Sequence, residues 1–227
     1  YTGYRGLDNS FNKRLRSYLY NWCISIMKKR KTVVDFRLLC FSKGQLIENT
    51  DVVKFYRNSL KNSICVEQNI KNCFENKVVI NSQCLFDNQE IENDEDIETF
   101  SLFVNMLPRG TDVTLKPHPR EKSLYRYDRF NWNILSNISY TQEEIFSGLQ
   151  VKPKMVVGIT SSTLINLHAL FGIKTISLAK IFLKKNIPEG IRKDIIDFIK
   201  LYHNTVDMPE NEMELKKLVE DVFNKRS

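Results

Sequence analysis

Apolar residues in the middle of this chain come in short unbroken runs, each closed by polar, turn-forming residues and followed by helical spacing. Val78-Val79-Ile80 lies within a strand expected over 77–83, Val113-Thr114-Leu115 within 112–115, Met155-Val156-Val157 within 154–159, and Ile176 within 174–178. Runs of this kind suit strands buried on both faces of a parallel sheet. Between them the pattern predicts helices. One leads from acidic residues at 92–98 to Met106 and stops at Leu107-Pro108-Arg109-Gly110. A second begins at Gln142 behind Thr141, with Glu144 completing a capping box, and a third runs from Ser161 to Phe171 and is stopped by Gly172. Ile138-Ser139-Tyr140 reads as a further short strand. Regular alternation from 77 to 178 gives the expected class: α/β, a Rossmann-like parallel sheet flanked by helices.

The flanks are less regular. Residues 1–12 read as a loop, and Phe11, Leu15, Tyr18, Leu19, Trp22 and Ile26 give an amphipathic helix over 11–27. A strand is expected over 32–41, short helices over 51–61 and 64–74, and closing helices over 188–201 and 210–225. No solenoid period or low-complexity segment interrupts the pattern.

Composition changes this picture little. With 227 residues, 42% hydrophobic and 27% charged, the chain has the make-up of an ordinary globular protein. Its net charge of +7 suits an anionic partner or substrate. The densest cluster, Lys28-Lys29-Arg30-Lys31, is either a cationic end for the preceding helix dipole or a contact for a membrane surface. Nucleic acid is not indicated: aromatics do not interleave with basic residues, and no helix-turn-helix or zinc module appears. Five cysteines without a C-x-x-C pair point to reduced thiols in a cytoplasmic protein. No apolar run approaches the roughly 20 residues needed to span a bilayer.

The candidate chemistry sits where two of the expected strands end. Lys116-Pro117-His118-Pro119-Arg120-Glu121 follows one, and roughly forty residues later Thr160-Ser161-Ser162-Thr163 follows another. A histidine between two prolines is held by a stiff backbone and exchanges a proton near neutral pH. Consecutive hydroxyls at a helix start meet free N–H groups and a favourable dipole, a natural seat for an anion. Together they read as a phosphate seat with an acid beside it. No dinucleotide or P-loop glycine pattern is present, and there is no Asp-x-Asp pair to hold a metal for sugar transfer. No metal or cofactor is therefore expected.

These two motifs, in this order and spacing, resemble the carboxyl-terminal half of bacterial sialyltransferases and polysialyltransferases of the two-Rossmann-domain (GT-B) type. Leu164-Ile165 and Ala169-Leu170-Phe171-Gly172 continue the likeness. The resemblance implies a metal-independent, inverting glycosyltransferase. Its donor would be cytidine monophosphate–sialic acid, and its acceptor a glycan of capsular polysaccharide or lipooligosaccharide. His118 would act on the departing phosphate as general acid or contact. Lys116, Pro119, Arg120, Thr160, Ser161, Ser162 and Thr163 would bind the donor, and Glu143 or Glu144 would suit its ribose hydroxyls, though both could equally be first-turn dipole partners. The implied organisation is an acceptor-side remainder over 1–75, a nucleotide-sugar-binding domain over 76–204 and a carboxyl-terminal helix over 205–227. The implied location is the cytoplasm, at the inner face of the plasma membrane.

The polysialyltransferase pattern also carries an acidic Glu/Asp-Asp-Gly motif that supplies the general base, and no such tripeptide occurs here. Either it lies upstream of Tyr1 in a longer enzyme, or a carboxylate such as Asp87 serves. Two other readings remain at this point: a polyol-phosphate or other cytidine-nucleotide-dependent transferase of surface-polymer synthesis, and a non-catalytic basic binding domain.

Overall fold

The buried apolar runs become the centre of a five-stranded, wholly parallel sheet in the computed structural model, which describes residues 58, 60, 66–136, 138 and 140–224. The expected loop at 1–12, the helix at 11–27, the basic cluster, the strand at 32–41 and most of the helix at 51–61 lie outside the described residues.

Strands β1 (Val78–Asn81), β2 (Val113–Lys116), β3 (Asn133–Ile134), β4 (Met155–Gly158) and β5 (Thr175–Ser177) are arranged in the order β3-β2-β1-β4-β5. Helices α1 (Gln68–Asn72), α2 (Glu95–Val104), α3 (Gln142–Ser147), α4 (Ser162–Phe171), α5 (Ala179–Phe182), α6 (Glu189–Tyr202) and α7 (Glu212–Asn224) complete the described chain. Val78, Val79, Ile80, Met155, Val156 and Val157 are fully buried. Such strands lie between two covered faces and need no polar alternation.

The strand order has a consequence for function. The chain leaves β1 for β2 and β3 on one side, then crosses to β4 and β5 on the other. That reversal opens a crevice beyond the carboxyl ends of β1 and β4, where α/β sheets bind ligands. The close spacing of the two strands there depends on Gly158, paired with Asn81. A Cβ at Gly158 would stand 3.3 Å from the Asn81 carbonyl oxygen and 3.5 Å from Leu164 Cδ1.

Three details differ from expectation. The edge strand is Asn133–Ile134, paired with Thr114 and Leu115, and of the strand expected over 138–140 the described residues Ile138 and Tyr140 lie outside any strand. Ile138 and Tyr140 instead pack their half-buried side chains against the core. Among the described residues the helix expected over 64–74 is α1 alone, and a 3-10 turn at Leu124–Tyr127 falls where no element is expected.

Residues after 204 are not peripheral. The backbone N–H of Ser177 donates to the Asp207 carbonyl at 2.8 Å, and α7 buries Leu215 and Val219 in the shared core. No described helix is long and apolar enough to cross a membrane.

Candidate functional site

Both sequence motifs end up at the carboxyl edge, and the residues just after β1 hold them together. Ser82 reaches the histidine loop: its hydroxyl accepts from the His118 backbone N–H at 3.2 Å and donates to Glu121 Oε2. Gln83 reaches the hydroxyl loop: its Nε2 donates to Thr160 Oγ1 at 2.6 Å. One dipeptide therefore bridges the two motifs.

Glu121 organises the histidine loop from within. Its carboxylate accepts from Ser82, from the Tyr127 hydroxyl at 2.7 Å and from the His118 N–H at 3.3 Å. Burial pushes its pKa up, against the lowering effect of those donors. Arg126 fixes the following turn: its guanidinium pairs with buried Asp96 at 2.7 Å and lies 4.1 Å from the Phe86 ring centre.

His118 itself is half-buried. Its Nδ1 accepts from the Arg120 backbone N–H at 3.2 Å. In a neutral ring this leaves the proton on Nε2. Desolvation, reinforced by Arg120 and Lys116, lowers the ring's pKa below its ordinary value. Near neutral pH His118 is thus a neutral hydrogen-bond donor through Nε2 rather than an imidazolium.

The second loop offers its hydroxyls without using them for capping. Ser161 occupies the N-cap position of α4 with extended backbone angles, yet its side chain makes no capping hydrogen bond. Thr160, Ser161, Ser162 and Thr163 all retain solvent access, and Ser162 is the most open of them. Because Thr160 Oγ1 already accepts from Gln83, its own proton is left to donate elsewhere.

Structure separates the two candidate glutamates. Glu144 completes the capping box of α3: its Oε2 accepts from the Thr141 N–H at 2.6 Å, and Thr141 Oγ1 accepts from the Glu144 N–H at 3.3 Å. Glu143 instead turns toward α4, where Asn166 Nδ2 donates to it at 2.7 Å. Burial raises the Glu143 pKa, opposed by Asn166 and by the charge of Lys116. Lys116 responds in kind: desolvation lowers its pKa and Glu143 raises it. Behind them the buried amides of Asn81 and Gln142 exchange two hydrogen bonds of 2.8 and 2.7 Å, tying the end of β1 to the start of α3.

Hydrogen bonds link the His118 loop through Ser82-Gln83 to Thr160, and Asn166 of α4 to Glu143, and the circuit closes at Lys116 only through the charge of Glu143. Pro119 and Arg120 lie exposed on its rim. Asp87 is outside it. Its carboxylate accepts from the backbone N–H groups of Lys122, at 2.5 Å, and Ser123, at 3.1 Å, and from the Ser123 hydroxyl. Desolvation opposes these donors but they prevail, and the Asp87 pKa is lowered.

Ser82, Gln83, Glu121, Gln142 and Asn166 were not singled out as site residues from the sequence. Glu121 alone carried a signal, as the last residue of the quoted histidine motif.

A family model described as alpha-2,8-polysialyltransferase matches residues 31–180, which include both motifs and the whole circuit. No curated protein matches the chain. A solved structure titled "Structure of the Wall Teichoic Acid Polymerase TagF" is similar at 11% identity and a TM-score of 0.29, over 80% of this chain and 50% of that one. The chain thus spans half the length of that structure.

Proposed function

The chain belongs to the alpha-2,8-polysialyltransferase family, and from that premise we propose that it moves sialic acid from cytidine monophosphate–sialic acid to a glycan acceptor, without a metal and with inversion. What supports this reading is the link through Ser82 and Gln83 at the switch point, which holds the His118 loop and the Thr160–Ser161 loop, whose Ser161 makes no capping bond, at the same sheet edge.

In this reading the donor's phosphate sits between His118 and the start of α4. His118 Nε2–H, the hydroxyls of Thr160, Ser161 and Ser162, and the first N–H groups of α4 donate to its oxygens, with Thr163 beside them. Lys116 and Arg120 supply positive charge for a donor that carries both a phosphate and a carboxylate. Glu143 accepts from the ribose hydroxyls, and Glu144 acts only through the helix it caps. Pro119 stiffens the loop that carries His118. Asp87 holds that loop at Lys122 and Ser123. Its lowered pKa makes it a weak base, and we assign it no proton transfer.

Transfer then breaks the bond between the anomeric carbon and the phosphate oxygen while the acceptor oxygen attacks the opposite face, and the acceptor's proton passes to a base. Phosphate monoesters have a second pKa near about 6, so the leaving group departs as an anion stabilised by hydrogen bonds. A neutral His118 suffices for that role. The acceptor is proposed to be a surface polysaccharide or lipid-linked glycan, met at the cytoplasmic face of the membrane.

The test is calorimetric titration of the chain with cytidine, uridine and guanosine monophosphates. Selective binding of the cytidine nucleotide, lost in the Ser161→Ala/Ser162→Ala double variant, is expected. A folded chain that binds none of the three, or all equally, overturns the donor assignment.

A further inference from the structure

Gln83 carries a feature that the phosphate seat leaves unused. Its Nε2 is tied to Thr160, but its carbonyl oxygen, Oε1, is buried without a hydrogen-bond partner among the described residues. A buried acceptor left unsatisfied is costly, and in a folded protein it calls for a reason. The side chain lies at the carboxyl ends of β1 and β4, where the strand order opens the ligand crevice.

Resting on the donor reading above, we propose that Gln83 is a specificity-determining residue whose carbonyl accepts a hydrogen bond from an O–H or N–H group of the bound nucleotide-sugar. The chemistry of the partner follows from that of the acceptor. An ionised phosphate oxygen carries no proton and would be repelled by an amide carbonyl, so the phosphate is not what Oε1 meets. A hydroxyl or amine is, and it comes from either the nucleoside or the transferred sugar. The amide thereby does two things at once. Its N–H arm turns the Thr160 hydroxyl toward the phosphate, and its carbonyl arm reads the neighbouring uncharged part of the donor.

An acceptor that only a ligand satisfies has an unusual mutational signature. Removing the carbonyl costs the empty protein no hydrogen bond, so in the free chain a Gln83 variant loses only the N–H arm to Thr160. Gln83→Met keeps the length of the side chain and removes the amide. The full chain carrying it is expected to melt slightly below the wild-type temperature, through loss of the Thr160 contact, while binding weakens about five- to tenfold. Titration with two probes locates the partner group. Thr160→Val removes the partner of the N–H arm alone, so the carbonyl is read from weakening beyond that variant's: for both cytidine monophosphate and cytidine monophosphate–sialic acid it places the partner group on the nucleotide, and for the second alone on the sugar. Affinities of the Gln83 variant for both probes within about twofold of wild type, or of Thr160→Val, overturn the proposal. If the methionine variant does not fold, Gln83→Ala is put through the same comparison. A wild-type chain that binds neither probe removes the donor reading and this inference together. Loss confined to the Gln83 variants leaves the donor reading standing.

Discussion

His118 enters the crevice with one ring nitrogen already committed, and that has a measurable consequence. Because its pKa is lower in the folded chain than the ordinary 6.5, the unfolded chain binds more protons between the two values. Stability contributed by this ring is therefore complete above the unfolded value and falls as pH drops below it. Thermal denaturation between about pH 5 and 8 should show a wild-type melting temperature that rises more steeply through the acid half than that of His118→Gln. Parallel curves would mean that the ring titrates as if free. A bound nucleotide should flatten the wild-type slope, since a phosphate beside the ring restores its affinity for a proton.

At the scale of elements, the crevice depends on β1 and β4 lying close together where Gly158 faces Asn81. Asn81 has little room to yield, because its side chain is held by two hydrogen bonds to Gln142. Gly158→Ala forces a methyl against the Asn81 carbonyl, and the expected loss is about 1–3 kcal/mol, read as a lower urea midpoint with unchanged slope. Strands such as β1 and β4 were legible in the sequence because full burial writes itself as an apolar run. β3 was not, since a two-residue edge strand with an exposed Asn133 leaves no run to find. The loops that carry His118 and the hydroxyls were legible for a related reason: each follows a readable strand. Ser82, Gln83 and Gln142 were not, because polar residues at strand and helix ends look like ordinary turn chemistry. Their partners lie 36 to 77 positions away, and only the strand order brings them together.

The whole molecule closes on its last residues. After α6 the chain returns along the free edge of β5, where Ile176 and Asp207 form a parallel bridge and Lys174 pairs with Asp207 at 2.6 Å. It then lays α7 over the core with Leu215 fully buried and Val219 1% exposed. Burying each such side chain contributes about 1.5–3 kcal/mol, against a typical net stability of about 5–15 kcal/mol for a domain. The segment also covers β5, the strand whose end leads into α5 beside the hydroxyl loop, with the Leu178 N–H donating to the Gly158 carbonyl at 2.8 Å. Removing α7 should therefore disturb the crevice as well as the core. A chain ending after Asn211 is expected to lose its sharp thermal transition, to bind a hydrophobic dye and to lose nucleotide binding. Leu215→Ala, a smaller injury to the same contact, should lower stability by about 2–5 kcal/mol while leaving nucleotide affinity near wild type as long as the chain stays folded. A truncated chain that melts cooperatively and binds nucleotide as the full one does would show α7 to be an appendage, and the donor site to be complete without it.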